Sequence, residues 1–246
     1  MIKTIMELSI IIPALNEAKT IGGTLESVCE WLKAKPFEGE VIVVVNESTD
    51  DTADVARGYS NRCANLNVIE LPKRGKGLAV QTGMKAAHGR YRLFMDADNS
   101  TTIDHYDRFA PAFEEGYDIV IGSLAVKGSS VKKDKGEPWW RVLFGKMGNK
   151  WIQIFAVWGI NDTQRGFKVF SAKAAETIFP RVTILGWGFD FEVLAIGRAK
   201  GFKIKELPVT NWDNSADSRV TLSTYSKVLM EAVEVFFKRV SGVYRK

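Results

Sequence analysis

Four short apolar runs, each cut off by a polar loop and followed by a stretch of helical spacing, limit what this chain of 246 residues can fold into. Residues 8–12 run into Pro13-Ala14-Leu15-Asn16-Glu17, and Ile21, Leu25, Val28 and Leu32 then recur on one face of a helix over residues 18–33. Residues 41–45 are apolar throughout, which is how a strand buried on both faces of a parallel sheet reads. They end in Asn46-Glu47-Ser48-Thr49-Asp50-Asp51-Thr52, ahead of a helix over residues 54–59. A third strand, residues 67–71, leads through Pro72-Lys73-Arg74-Gly75-Lys76-Gly77 into a helix over residues 78–87, and a fourth ends at Met95. This alternation predicts a mostly parallel, Rossmann-like α/β sheet flanked by helices, with a ligand crevice at the carboxyl ends of its strands.

Beyond residue 100 the pattern loosens. A strand over residues 118–122 precedes a Gly- and Lys-rich polar segment, residues 123–138, and an amphipathic aromatic stretch, residues 139–158. A strand ending at Phe170, a helix that opens at residues 186–192 and runs to Lys200, and a strand over residues 202–207 complete the pattern. No repeat and no linker divides the chain, so a single domain is expected over residues 1–246.

Bulk composition excludes some classes. At 46% hydrophobic and 26% charged residues the chain is not disordered, and a net charge of +5 favours an anionic partner: nucleotide, phosphate, nucleic acid or anionic lipid. The basic residues are spread out and match no nucleic-acid module, so no nucleic acid is expected. Cys29 and Cys63 lie outside any Cys-x-x-Cys pattern and read as free buried thiols of a reducing cytoplasm. His88 and His105, far apart in sequence, give little support to a zinc site or a Ser-His-Asp triad. The opening residues lack signal-peptide grammar, since Glu7 interrupts the apolar stretch and Pro13 follows it. With no run near the roughly 20 apolar residues that span a bilayer, the expected location is cytoplasmic, soluble or peripheral.

The chemistry concentrates at strand ends. After residues 91–95 come Asp96-Ala97-Asp98-Asn99-Ser100, two carboxylates one residue apart, which alternation along an extended chain can turn the same way. Oxygen-only ligands of this kind suit Mg²⁺ or Mn²⁺; equally, Asp, Asn and Ser make solvated turns and helix caps. Pro13, Ala14, Asn16 and Glu17, with Asn46 and Ser48 on the neighbouring loop, can hold the base and ribose of a nucleotide or serve only as loop and capping groups. Lys76, between two glycines at a helix N-terminus, suits a phosphate, although the spacing is not that of a P-loop.

Taken together, the strand followed by Pro13-Ala14-Leu15-Asn16-Glu17, the second followed by Ser48-Thr49-Asp50-Asp51-Thr52, then Gly75-Lys76-Gly77 and Asp96-Ala97-Asp98, resemble the family 2 glycosyltransferases of GT-A fold. Asp162-Thr163-Gln164-Arg165-Gly166-Phe167-Lys168, Trp187-Gly188-Phe189-Asp190-Phe191-Glu192 and Glu206-Leu207-Pro208-Val209-Thr210-Asn211-Trp212 narrow the resemblance to dolichyl- or polyprenyl-phosphate glycosyltransferases, the glucosyl branch first and the mannosyl branch next. What this implies is transfer of a hexose, with inversion, from a nucleoside diphosphate sugar (UDP favoured, GDP second) to a polyprenyl monophosphate. Residues 1–100 then form the nucleotide-binding half, residues 101–222 the acceptor and sugar half, and residues 223–246 a C-terminal amphipathic helix.

By the same resemblance Asp96 and Asp98 hold the metal, and Pro13, Ala14, Asn16, Glu17, Asn46, Ser48, Lys76 and Gln164 contact the donor. Arg141, Arg165 and Lys168 are the candidates for the acceptor phosphate, because guanidinium forks fit phosphate oxygens. Asp98, Asp190 and Arg141 form the expected catalytic set, with Asp190 on sugar hydroxyls or, for an alcohol acceptor, acting as base. Three departures stand out: Val45 where relatives carry the first Asp of their motif, with Asn46 as the substitute hydrogen-bonding group, Leu124 where they carry an Arg, and Ser100 where mannosyl relatives carry a Gln. A phosphate monoester, with a second pKa near 6, needs no general base, so the chain can act by positioning and neutralising charge. The basic amphipathic stretch from Thr224, with Trp139, Trp140, Trp151 and Trp158, suits peripheral contact with the cytoplasmic face of a membrane, or packs on the core. A saccharide or protein hydroxyl acceptor, and a non-catalytic nucleotide-sugar-binding protein, remain open alternatives.

Overall fold

The structure, a computed structural model, describes residues 6–131, 139–212 and 222–245. In its first half β1 (Leu8–Ala14), α1 (Ile21–Lys33), β2 (Gly39–Asn46), α2 (Thr52–Arg57), β3 (Leu66–Leu71), α3 (Lys76–Ala86) and β4 (Tyr91–Met95) follow the expected alternation. Next come two short helices, α4 (His105–Phe109) and α5 (Pro111–Glu114), then β5 (Ile119–Ser123) and the long helix α6 (Trp139–Phe155). β6 (Phe167–Ser171), α7 (Ala172–Ile178), α8 (Phe189–Ala199), β7 (Ile204–Pro208) and α9 (Leu222–Val240) complete the chain.

The strands join in one sheet of order β3-β2-β1-β4-β6-β5-β7. β3, β2, β1 and β4 are parallel, with Ile11 registered between Ile42 and Phe94. β6 runs antiparallel to both β4 and β5, while β5 and β7 are parallel. The expected mostly parallel α/β architecture in a single domain is therefore observed. The antiparallel strand is the feature local pattern could not reveal, because strand direction depends on where the chain travels between strands.

Alternation along the strands divides the core into two layers. Ile11, Ile42, Val44 and Phe94 face α3, α8 and α9 on one side. Ile10, Ile12, Val41, Val43, Leu93 and Met95 face α1 and α2 on the other. The apolar stripe of α9 packs inward through Val228, Ala232 and Val235, so part of the C-terminal helix belongs to the core.

One expectation is corrected here. Cys29 and Cys63 are not free thiols: they form a disulfide, with Cα atoms 5.1 Å apart, where α1 lies beside the segment after α2. Cys29 lies on the buried face of α1 and Cys63 is also buried, so two thiols 34 residues apart are brought within bonding geometry by packing that spacing alone does not disclose.

Candidate active site

The order of the sheet reverses at β1 and β4: α1 carries the chain outward to β2, and the crossover through α3 brings it back to the other side of β1. In an open α/β sheet that reversal leaves a crevice beyond the carboxyl ends of the strands. Each of the three strand ends there contains a left-handed residue, Asn16 (φ 52°), Glu47 (φ 52°) and Asn99 (φ 55°). Asn tolerates this conformation, whereas Glu47 holds it at a cost of about 1 kcal/mol or more.

The loops after β1 and β2 brace each other. Asn16 donates its backbone N–H to Ser48 Oγ (2.9 Å) and accepts from Thr49 N at Oδ1 (2.8 Å). Glu17 N donates to Thr52 Oγ1 (2.8 Å), and Ala18 N donates to Asp50 Oδ2 (3.1 Å). Burial nudges Asp50 upward, but the hydrogen bonds from Thr52 and Ala18 outweigh it and hold the carboxyl below its usual range. Pro13 and Ala14 are buried at the end of β1, so only their backbone can serve a ligand. Asn46 is buried too: in the orientation that satisfies its amide, it donates to Ala14 O (2.8 Å) and accepts from Gly75 N (3.1 Å). That side chain ties β1 to the start of α3.

Asp96 follows β4, and its backbone N–H donates to Gly166 O (3.1 Å). Gly166 must lack a side chain, since a Cβ there would overlap the Asp96 carboxylate. Ala97 O accepts from the buried Thr24 of α1 (2.6 Å), which turns the middle residue away from the crevice. Asp98 Oδ1 accepts from both the N–H (2.9 Å) and the Oγ (2.7 Å) of Ser100. Ser100 therefore orients a carboxylate.

Lys76, the first residue of α3, places Nζ 2.7 Å from Asp96 Oδ1 and 5.2 Å from the ring centre of the half-exposed Trp187. Burial works against its charge, yet Asp96, Asp190 and Asp98 together outweigh it and hold the ammonium above its ordinary range. The glycines on either side let the 184–185 backbone close over the helix start: a Cβ on Gly75 would lie 2.6 Å from Leu185 O, and one on Gly77 2.8 Å from Ile184 O.

Behind this rim lies a second pair. Lys168 of β6 and Asp190 of α8 are both fully buried and joined by a hydrogen bond, and Lys168 Nζ also donates to Arg165 O (2.6 Å). Burial pushes Lys168 down and Asp190 up, each opposed by the other's charge. The structure corrects the expectation that Lys168 meets an acceptor phosphate, because strand alternation turns it under Phe94, its ammonium 5.0 Å from that ring. Asp190 likewise offers no exposed oxygen to a sugar in this state.

The 162–168 motif is held by its own acid. Asp162 Oδ2 accepts from Arg165 Nε (2.9 Å) and Leu124 N (3.0 Å), and Glu206 accepts from the backbone N–H groups of Asn161 (2.9 Å) and Asp162 (3.0 Å). Arg165, 30% exposed, also stacks 4.6 Å from the Trp212 ring centre. Gln164 is exposed and uses its N–H on Asp162 Oδ1 (3.4 Å). Arg141 lies in the first turn of α6, but its side chain is outside what the structure describes, as are those of Trp139 and Trp140.

Sequence reasoning missed Thr24, Gly166, Glu192 and Glu231. Glu192, buried on α8, accepts from Thr183 N (2.9 Å), Ile184 N (2.7 Å) and Tyr244 Oη (2.9 Å), while Glu231 of α9 accepts from Gly188 N (2.9 Å). The two acids fix residues 183–188, the segment that carries Trp187 over Lys76. Their one signal in the sequence is a carboxylate on an otherwise apolar helical face.

Fold and site together define an open α/β sheet with a lysine and an acidic pair at its switch-point crevice, and comparison with known proteins gives that architecture a family. The model of Glycosyl transferase family 2 matches residues 9–179, and the chain belongs to that family. It is 34% identical to a dolichyl-phosphate beta-glucosyltransferase of Drosophila melanogaster over 88% of this chain and 70% of the relative. A protein of the same name from Trichomonas vaginalis is 31% identical, with 92% of this chain and 69% of the relative covered. Among solved structures, mannosyl-3-phosphoglycerate synthase from Rubrobacter xylanophilus superposes with a TM-score of 0.69 at 18% identity, over 98% of this chain and 76% of that one. Glucosyl-3-phosphoglycerate synthase from Mycobacterium tuberculosis, in complex with Mn²⁺, UDP and glucosyl-3-phosphoglycerate, gives 0.68 at 18% identity, with 96% and 80% covered. The likeness to these structures establishes the fold.

Proposed function

We propose that this chain transfers glucose, with mannose the second choice, from a UDP-sugar to a polyprenyl or dolichyl monophosphate, with inversion at the anomeric carbon. A GDP-sugar is the second choice of donor. The observation that carries this reading is the meeting of two strand-end loops, Lys76 and the Asp96/Asp98 pair on one rim of the sheet. The relatives named dolichyl-phosphate beta-glucosyltransferase supply the sugar and the acceptor class.

The residues present fit a divalent cation. An ammonium already rests on Asp96, so this carboxylate's surroundings accept positive charge, and Asp98 is held in place by Ser100. Among the described residues no third acid, His or Cys joins them in a cluster. Two carboxylates suit Mg²⁺ or Mn²⁺, which complete their shells with water and phosphate oxygens. Bound there, the ion would neutralise charge on the leaving diphosphate.

The chain's own groups do the rest. Asn16, Glu17 and Ser48 with the backbone of Pro13 and Ala14 hold base and ribose, while Asn46 fixes the loop they share with α3. Lys76 takes diphosphate oxygens at the helix N-terminus. Gln164 and Arg165, with Arg141 from α6, bring the acceptor's phosphate in line with the anomeric carbon. One phosphate oxygen then forms the new bond to that carbon as the bond to the diphosphate breaks, and no proton has to be removed. The burial of Asp190 against Lys168 supports a phosphate acceptor over a hydroxyl, which would require an accessible base.

No helix among the described residues is long and apolar enough to cross a membrane. We assign contact with the lipid surface to the paired α6 and α9, where Met147, Trp151, Ile154, Met230, Phe237 and Val240 are exposed beside Lys150. The test is label from UDP-[¹⁴C]glucose appearing in an organic-extractable product only when polyprenyl phosphate and Mn²⁺ are present. Label that stays in the aqueous phase, or passes to a soluble saccharide, would overturn the reading.

A further inference from the structure

We propose that Lys76 is a charge lock on the metal-binding carboxylate: its ammonium holds Asp96 until a donor diphosphate draws it away, so cation and nucleotide sugar enter the site together. The inference rests on the reading of Asp96 and Asp98 as the metal's ligands.

Lys76 Nζ sits on Asp96 Oδ1 at 2.7 Å. A divalent cation on the same carboxylate, at about 2.1 Å from its oxygen, would stand beside that ammonium with nothing between them. Two positive groups cannot share one carboxylate without repulsion, so one of them yields. The backbone at Lys76 cannot retreat, because Gly75 and Gly77 are closed in by the carbonyls of Leu185 and Ile184. Lys168 cannot take over the balance of charge, being buried against Asp190 and the Arg165 carbonyl.

The side chain of Lys76 can move. It ends in a compact point charge on a flexible stem, bordered by the face of Trp187 at 5.2 Å. A donor diphosphate at the start of α3 gives the ammonium new oxygens and frees Asp96 for the metal. By linkage, whatever factor the nucleotide adds to metal affinity, the metal adds to nucleotide affinity.

The experiment titrates Mn²⁺ into the protein, read by the EPR signal of free Mn²⁺, with and without saturating UDP. In the unaltered protein UDP should tighten Mn²⁺ binding by about 10-fold or more. Lys76→Met should bind Mn²⁺ alone about 10-fold more tightly, with the gain from UDP smaller by the same factor, the part due to the diphosphate's own oxygens on the ion remaining. Lys76→Arg, which keeps the charge, should bind Mn²⁺ alone no more tightly than the unaltered protein, and removing the exposed neighbouring charge in Arg74→Met should change little, which separates a local lock from general electrostatics. Equal or weaker Mn²⁺ binding by Lys76→Met, or a UDP gain undiminished in it, overturns the lock. Asp96→Asn tells the two failures apart: if it binds Mn²⁺ as well as the unaltered protein, the metal assignment itself is wrong.

Discussion

Two lysine–aspartate pairs lie within a few residues of each other in space and differ in nearly every physical respect. Lys76 and Asp96 keep 16% and 31% of their side chains exposed and meet where three loops open to solvent; Lys168 and Asp190 keep 0% and 2% and meet beneath Phe94. The outer pair can trade partners, since solvent reaches it. The inner pair cannot, because removing either partner strands a charge in a low-dielectric core. The same two residue types thus make an exchangeable contact at the rim and a fixed support behind it.

Several substitutions would break or sharpen that contrast. The largest effect is expected from Asp98→Asn, which leaves both pairs intact and should lower glucose transfer by about 10²–10³-fold, the scale for losing a group that stabilises developing charge; steady-state transfer of labelled sugar measures it. Lys168→Met should cost about 3–5 kcal/mol of stability by denaturant unfolding, and adding Asp190→Leu should recover much of the loss. Lys76→Met, by contrast, should change stability by about 1 kcal/mol or less while transfer collapses. Comparable destabilisation by the two lysine substitutions would erase the distinction between rim and support.

Smaller effects probe the surrounding braces. Ser100→Ala removes the Oγ bond to Asp98 (2.7 Å) and should weaken Mn²⁺ binding about 10-fold, as losing a ligand's supporting hydrogen bond does. The smallest is a pH effect at His105, whose Nε2 accepts from Thr210 N (3.1 Å) while Nδ1 lies 2.9 Å from Thr102 O. Burial lowers its pKa, so between the folded value and the unfolded one near 6.5 the unfolded chain binds the extra proton. Stability is then fully present above pH about 6.5 and declines as pH falls through the folded value. Unfolding midpoints across that range should show the slope, and His105→Gln should flatten it.

Much of this was legible in residues 8–100, where each strand is a short, largely apolar run and each loop carries its own chemistry. The placement of Asp96, Asp98 and Lys76 on one rim was readable because strand ends and helix starts are local features. The role of Asn46 was not, for its partners Ala14 and Gly75 come from two other elements. Lys168 misled for a similar reason: a lone cation in Phe167-Lys168-Val169-Phe170 looks exposed until β6 is known to be a central strand between β4 and β5. The helices α4, α5 and α7 have only 5, 4 and 7 residues, too few for a periodic signal. The disulfide and the hold of Glu192 and Glu231 on residues 183–188 are products of packing between distant segments.

The proposed transfer requires above all that diphosphate and metal dock at the rim pair. Calorimetric titration of UDP into the protein, with Mn²⁺ or with EDTA, compared against Asp96→Asn, tests this directly. The expected result is Mn²⁺-dependent binding that falls by about 10-fold or more on chelation and disappears in the variant. Undiminished, Mn²⁺-dependent binding of UDP by Asp96→Asn would contradict it.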